Sequence, residues 1–497
     1  MKKIKYIMSA LALGLMFHSC DVERFPEGSI ELSQSFKKVS DAEYWNNAVY
    51  SFLRGRVYGI YSYSTDIQAD QLNATQDFGN RNGDLHRWAG FLSTDYTIRD
   101  VYRGYYGAIN NINTQLQGFD GIVPANSAEK AKMDGYYGDA YLARAYYYLN
   151  LTLRFAKAYN ASTAATDLSV PLLLVPDLEA KPARGTVEDA YKLILEDIGK
   201  AKTLLANKAG AVGASRFNID VATALEARVK LYMSDFSGAL TAAKTLVDGG
   251  LYPLNSTKAS VEAMWATTNS SEVIFQPKVA RPNEMPNSNA PFYGFSAGNN
   301  DFRPDFIPSQ WVVDMYDNAD FRKAVYFADT LVTMSTVNAS EKVNIINKYP
   351  FIVGGLNTDK STNSVVPKVF RIAEMYLIAA EAAYRSSPSN TADALTYLNA
   401  LRVSRGLPAL SGISGTTLFN EIKNERFREL AFEGFRLDDL KRWGEGFERR
   451  APQSTVLVRS GDEYSSKKVE ASDLKFVWGL PDNDVSINPN LDQNEGW

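Results

Sequence analysis

The densest helical patterning in the chain runs from Arg371 to Trp443. In RIAEMYLIAAEAAYRSS, Ile372, Met375, Tyr376, Ala379 and Ala383 follow the i, i+3, i+4, i+7 spacing of one helix face, and Leu377, Ala380 and Tyr384 fill the adjoining stripe. A helix apolar around most of its girth belongs in a core. Its few charges stand at facing distances, Arg371 three residues before Glu374 and Glu381 four before Arg385, which predicts two intrahelical ion pairs. After a Pro/Ser/Asn break comes ADALTYLNALRVSRG, where Ala392, Ala394 and Ala400 admit a close neighbour. The two segments predict a helical hairpin, and EIKNERFRELAFEGFRLDDLKRW continues the helical habit to Trp443.

Earlier in the chain the same pattern comes and goes. Ser40 followed by Glu43 reads as a capping box opening a helix that carries Tyr44, Trp45, Val49, Phe52 and Leu53. From about 58 to 97 no period is sustained, and the stretch, rich in Gly, Asn, Asp and Tyr, predicts a long loop of the kind that carries function. Helix resumes near Tyr102, and GYYGDAYLARAYYYLNLTLRFAKAY predicts a long helix over 135–159 with its tyrosines packed between hairpins. An extended Val170–Val175 follows, then a helix capped by Thr186, and a pair starting at Asp220 and ending at Gly249 and Gly250.

ATALEARVKLYMSDFSGALTAAKTLV and AEMYLIAAEAAYRSSPSNTADALTYLNAL share one design, two helices around a short polar turn with small residues where they cross. They resemble degenerate tetratricopeptide hairpins without a fixed period. The fold class is therefore mainly α: tetratricopeptide-like hairpins forming a scaffold, an alpha-alpha superhelix, with an inserted loop-rich subdomain containing short strands. The insertion is 253–370, where Pro, Asn and aromatic residues replace helical spacing and EVIFQPKV suggests a short strand. The helical regions are 20–252 and 371–497, the latter with an irregular tail and a short strand at LKFVWGL.

Composition removes most chemistry. Two His and one Cys in 497 residues leave no material for Cys/His zinc sites, for Ser/His/Asp triads or for an intramolecular disulfide, so neither a metal nor a cofactor is expected. A net charge of −4 without a basic run gives nucleic acid no purchase. The 12% aromatic share, with 28 Tyr, has to fill the core or present contact surfaces.

At the N-terminus Lys2, Lys3 and Lys5 precede an apolar run from Ile7 to Phe17, which reads as a signal peptide over 1–19, too short for a permanent span. The only cysteine, Cys20, stands where that run ends, after a small residue. This resembles the lipobox of bacterial lipoproteins and implies lipidation at Cys20, with a body tethered through lipid alone. Phe17 and His18 make it a loose example.

Four further passages resemble the SusD/RagB family of surface nutrient-binding lipoproteins of Bacteroidetes: RIAEMYLIAAEA, LNALRVSRG, ERFRELAFEGFRLDDLKRW, and the ending GLPDNDVSINPNLDQNEGW. DAYLARAYYYLNL followed by SVPLLL adds the family's N-terminal helix and proline turn. The resemblance implies four tetratricopeptide-like units cradling a loop-rich subdomain, anchored by lipid outside the outer membrane. It also implies a partner, a SusC-like TonB-dependent outer-membrane barrel that receives captured oligosaccharides, and a protein that is not an enzyme. Some members bind peptides instead.

Within this frame, Glu421, Glu425 and Glu429 recur at i+4 on one helix among arginines, an arrangement that keeps carboxylates ionised and suits an ion-pair network better than the facing acids of glycoside hydrolysis. Sugar recognition asks for flat rings beside Asp, Asn and Arg. Two loop stretches offer that set: Asp70, Asn80, Arg81 and Trp88 in the first, and Phe292, Tyr293 and Trp311 in the second. Trp88 and Arg81 stand out for their polar, Gly- and Asn-rich surroundings, and removing the Trp88 ring is expected to weaken binding with little loss of stability. An oligopeptide ligand, or a helical-repeat module that only assembles proteins, are the alternative readings.

Overall fold

The computed structural model describes residues 34–177, 179–279, 294–296, 300–350, 354–356 and 366–497. Cys20, Phe292 and Tyr293 lie outside the described residues. Antiparallel helices Val39–Arg54, Tyr96–Phe119, Ser127–Phe155, Val187–Leu204, Ile219–Tyr232 and Phe236–Asp248 build the first part of the scaffold. Ile372–Arg385, Thr391–Ser404 and Gly415–Leu430 build the second. Ile372–Arg385 packs directly on Phe236–Asp248, so the two hairpins that look alike in sequence are neighbours in one continuous superhelix. None of the described helices is long and apolar enough to cross a membrane.

Side-chain caps set the helix starts. Asn126, Thr186, Asn218, Asp235 and Asn390 each accept a backbone N–H of their own first turn. At the first helix the sequence expectation is off by two residues. The helix starts at Val39, and it is Asp41, not Ser40 and Glu43, that serves its N-terminus, accepting the N–H of Lys37 and Lys38. The Tyr-rich helix is longer than its pattern, 29 residues, and Tyr105, Tyr147 and Tyr148 are almost fully buried between helices. Tyr148 Oη donates to Leu173 O at 2.7 Å, tying the extended segment after Pro171 to the scaffold.

The insertion leaves and rejoins the helices at adjacent points, because Val273–Phe275 pairs antiparallel with Phe370–Arg371. Inside it, a four-stranded sheet is built on the hairpin Phe327–Met334 and Ala339–Ile346, with Phe327 opposite Ile346. Two local expectations fail. LKFVWGL is not a strand; Leu474–Phe476 is a 3-10 turn whose start is capped by Asp473. The loop expected over 58–97 is mostly ordered core, with helix Ile60–Gln68, strand Leu72–Ala74 and helix Gly83–Arg87, and helix resumes at Tyr96 rather than Tyr102.

The reason is visible in its polar residues. Asp66, Gln68, Gln71, Asn73 and Thr75 are all buried, and all but Asn73 spend side-chain atoms on internal partners instead of solvent. Gln71 Nε2 donates to Asp66 Oδ1 at 2.6 Å, and Gln68 Oε1 accepts from Trp478 Nε1 at 2.8 Å. Gly434 closes this joint from the other side. Its φ of +85° is open to glycine, a Cβ there would press on Ser62, and its N–H donates to Asp66 Oδ2 at 2.9 Å. Here the helical run to Trp443 breaks into two helices, Gly415–Leu430 and Arg436–Trp443.

Tertiary pairing also overrides the helical spacing of charges. Arg371 does not meet Glu374. It reaches Glu429 and Glu433, each at 2.6 Å, while Glu374 takes Arg228 at 2.7 Å. Glu381 does face Arg385, at 3.7 Å, but its tighter partner is Arg442 at 2.5 Å.

Candidate functional site

The two stretches that the sequence offers for recognition are joined by a β-ladder. Leu72–Ala74 runs antiparallel to Phe306–Pro308, with Leu72 opposite Pro308 and Ala74 opposite Phe306. Side bonds extend the joint: Thr75 N–H and Oγ1 donate to Asp305 O and Pro304 O at 2.8 and 2.7 Å, and Ser309 N–H donates to Gln71 O at 3.0 Å. Recognition groups from both stretches therefore sit on one rigid element.

At its edge Arg81 Nη2 donates to Asp305 Oδ1 at 2.6 Å across 224 residues of sequence. The Arg81 side chain is 58% exposed and that of Asp305 only 1%. Burial pushes the Asp305 acid up to about 6, and the Arg81 guanidinium pulls in the opposite direction. Asp305 fixes one end of the guanidinium, and the rest of the fork faces outward with no further hydrogen-bond partner among the described residues.

Tyr96, the first residue of its helix, stands beside this pair, 42% exposed. Its hydroxyl accepts from Asn82 N–H at 3.1 Å and donates to Asn82 Oδ1 at 3.2 Å. Half-buried Tyr63 completes the group. Burial raises its hydroxyl to about 12, with Tyr96 and Asp305 adding to the rise and Asn82 and Arg81 opposing it. A cationic fork, two tyrosines and an amide are thus gathered on one face.

The loop beneath them is set by left-handed backbone at Asn80 and Asn82, φ 60° and 55°. Gly83 is required there, since a Cβ would stand 2.0 Å from Asn80 Oδ1. That oxygen accepts from Arg87 Nη1 at 2.6 Å, so the exposed Asn80 braces the loop through one end of its amide.

Trp88 corrects the sequence expectation most. It is 7% exposed and packs with Leu437, Leu440, Phe447, Val469 and Phe476. Its ring meets Phe476 edge-on at 5.0 Å and its Nε1 donates to Gln68 O at 2.7 Å. No face remains for a sugar. Asp70 is buried too, held by Arg436 through bonds of 2.9 and 2.7 Å. Trp311 is half-buried, sandwiched between Phe427 at 5.1 Å and the exposed Arg450, whose guanidinium lies 4.9 Å from the ring centre.

Of the sequence candidates, the structure leaves Arg81 open to solvent and Trp311 at the surface under a cation. Tyr63, Tyr96 and Asp305 were not singled out from the sequence. Tyr96 was hidden because the helix start was placed six residues late; Asp95, whose carboxylate accepts Thr97 N–H at 2.7 Å, is the cap that marks it. No local signal points from Asp305 to Arg81.

The glutamates of the charged helix are poorly suited to proton transfer. Glu425 is held down to about 2 against burial by Arg322 and Arg428, and Glu429 well below the usual range by Arg405 and Arg371. Burial and the nearby Arg449 push His86 well below its ordinary value, and its Nδ1 lies 2.9 Å from Ile67 O. Among the described residues no cluster of three or more His, Cys, Asp or Glu could hold a metal ion.

Comparison with known proteins agrees with this architecture. The SusD family model matches residues 309–497, and a second family, described as starch-binding associating with outer membrane, matches residues 38–231. No curated protein matches the chain. A SusD superfamily protein from Bacteroides thetaiotaomicron superposes with a TM-score of 0.78 at 23% identity, over 92% of this chain and 99% of that one. A SusD superfamily protein from Bacteroides vulgatus gives 0.75 at 21%, over 93% and 100%. A SusD-like carbohydrate binding protein from the same species gives 0.73 at 18%, over 92% and 98%. At these identities the solved structures speak for the fold.

Proposed function

We propose, from the premise that this chain belongs to the SusD/RagB family, that it is a non-catalytic surface lipoprotein that binds oligosaccharides and delivers them to a SusC-like TonB-dependent outer-membrane transporter. The observation that carries the reading is the Arg81–Asp305 pair at the exposed edge of the β-ladder, with Tyr96 beside it. A guanidinium fixed at one end offers its remaining N–H groups to vicinal hydroxyls, and an exposed tyrosine offers a ring for the C–H face of a sugar. Trp311 adds a second ring, reached when Arg450 swings off it. The acids of the charged helix are pinned low by arginines, Asp66, raised to about 7, is fully buried, and Asp305, raised to about 6, is hydrogen-bonded to Arg81, which fits binding better than the facing acid pair of hydrolysis.

The outer-membrane association of one matching family supports the same location, with Cys20 as the lipid-bearing residue. Calorimetry with panels of oligosaccharides and oligopeptides tests the reading. Saccharide binding that drops about tenfold in Arg81→Ala, titrated at a temperature where the variant is folded, is the expected result; some stability goes with it, because the Asp305 side chain, only 1% exposed, loses its counterion. Binding to peptides alone would assign the chain to the other ligand class. Saccharide binding indifferent to Arg81→Ala would remove this patch.

A further inference from the structure

A second, independent cleft lies on the helical side of the molecule. It has a volume of about 680 Å³, within the ~300–1,000 Å³ range of small-molecule sites, and shares no residue with the Arg81 patch. Its walls are the turn after helix Ser127–Phe155, the corner at Met233 and Ser234, the end of helix Arg436–Trp443, and the tail segments 471–477 and 494–495. Phe476, which packs on Trp88, also lines it, so the buried Trp88 cluster separates the two surfaces. We propose that this cleft is a second carbohydrate site, selective for neutral saccharides.

The cleft is built and held before any ligand arrives. Tyr159 is half-buried and braced edge-on by Tyr191 at 5.2 Å, and its hydroxyl has no hydrogen-bond partner among the described residues. Trp443 is fixed by Nε1 donating to Glu381 Oε1 at 3.1 Å. Lys441 Nζ donates to Leu153 O and, at 3.0 Å, to Ala156 O, closing the C-terminal end of the long helix under the floor. Asn160 Oδ1 accepts Ser162 N–H and Oγ–H at 3.0 and 2.8 Å, which pins the turn and leaves the amide nitrogen as a donor.

Charge decides the ligand class. The lining carries Lys157, Lys441 and Arg442 against Asp167, Asp473 and Glu495. The cations are already engaged: Lys157 with Asp167 at 2.8 Å, Lys441 with backbone carbonyls, and Arg442 with Glu381 and Asp439. A phosphorylated or uronic ligand would find no uncommitted positive group and would face Asp473 and Glu495. A neutral sugar needs only what is present, rings for its C–H faces and hydroxyl, amide and carboxylate groups for its edges.

The inference stands on the chemistry of this cleft and does not require the Arg81 patch to bind sugar. Saturation-transfer NMR with neutral hexasaccharides of gluco, manno, xylo and galacto configuration, with an oligogalacturonate as the acidic probe, tests it on the folded chain. With at least one neutral probe, binding persists in the Arg81→Ala/Tyr96→Ala variant and falls about tenfold in Tyr159→Ala. Ser472→Trp, which fills the cleft from an exposed turn, gives the same loss without touching the Tyr159–Tyr191 contact. No neutral probe binding, or binding unchanged in both Tyr159→Ala and Ser472→Trp, overturns the proposal. Oligogalacturonate binding there as well as the neutral probes do overturns the ligand class. Loss of all neutral binding in the Arg81→Ala/Tyr96→Ala variant overturns it as well, assigning the sugar to the first patch alone.

Discussion

Arg436 grips Asp70 by two hydrogen bonds, Nε to Oδ1 at 2.9 Å and Nη2 to Oδ2 at 2.7 Å, across 366 residues of sequence. The same guanidinium lies 5.1 Å above the ring of Phe427, and Phe427 stacks on Trp311. One arginine thereby links the first recognition stretch, the C-terminal helices and the second stretch. The Asp70 carboxylate is 6% exposed and the Arg436 side chain 18%.

Removing one partner of such a pair leaves the other charge stranded. Arg436→Met is expected to cost about 3–5 kcal/mol, because the Asp70 carboxylate loses its counterion inside the protein. Asp70→Leu together with Arg436→Met should recover most of that loss, since the stranded charge goes with it. Urea midpoints for the two variants check this, and a single variant as stable as the double one would show that the pair does not hold the joint.

Trp88→Ala should unfold the protein at lower temperature rather than weaken ligand binding. An indole packed against Phe447 and Phe476 leaves a cavity when it goes, and such truncations cost about 3–5 kcal/mol. Trp88→Phe keeps most of the packing and loses the bond to Gln68 O, for roughly 1 kcal/mol. Its φ of +57° adds strain that either replacement also has to bear. Calorimetric melting of the three proteins, beside saccharide titrations of each, separates a core role from a contact role.

These two residues show what the sequence carries and what it does not. Hairpin architecture is written in 3.6-residue spacing, as in Ile372–Arg385, because burying an apolar face needs only local periodicity. Thr186 with Asp189, and Gly249 with Gly250, mark boundaries by chemistry confined to a few residues. Asp66 and Gln68 defeat the same reading: polar residues in a Gly- and Asn-rich context look solvated, yet partners at Gly434, Lys475 and Trp478 allow them to be buried. Arg371 is legible as a charge that needs a partner, but Glu429 wins over the nearer Glu374 through packing that no spacing rule contains. The exposed site inherits that limit, since Arg81 was visible and Asp305 and Tyr96 were not.

Asp66 gives the protein an acid-side stability that reverses the usual trend. Burial raises its folded-state acid to about 7 from an ordinary 3.8, opposed by the hydrogen bonds from Gln71 and Gly434 and by Lys348, and reinforced by Glu433. The native state therefore holds this proton in a range where the unfolded chain has released it. Its contribution is largest below about pH 4 and is lost as pH rises to about 7. Asp305, raised to about 6, acts in the same direction. Glu381 and Glu425, held near 2, oppose it only where unfolded glutamates protonate, below about 4.5. His86, kept neutral by burial, opposes the trend as pH falls below about 6.5, so the expected readout is the change on substitution: Asp66→Asn should lower the melting temperature more at pH 5.5 than at pH 7.5. An equal change at both pH values would assign the effect elsewhere.

Glu429 is the centre of the charge network that the sequence marks by its glutamates at i+4 among arginines. Its carboxylate accepts from Arg371 Nη1 at 2.6 Å, from Arg322 Nη1 at 3.0 Å, and from Arg405 through Nε and Nη2, each at 3.0 Å. All four side chains are at most 1% exposed, and Glu272 and Asp320 share the same arginines. Three guanidiniums on one carboxylate make its protonated form inaccessible, so it has no proton to donate near neutral pH. Glu429→Gln keeps the shape and removes the charge that balances those arginines, which should cost about 3–5 kcal/mol, and Glu429→Ala should cost more by adding a cavity. Because these bonds tie the insertion, through Arg322, to the helices that carry Arg371 and Arg405, the loss should appear in the insertion first. Amide exchange should quicken across the hairpin Phe327–Met334 and Ala339–Ile346 before it does in helix Ser127–Phe155. A Gln variant with wild-type stability and uniform exchange would mean that the network does not clamp the insertion to the scaffold.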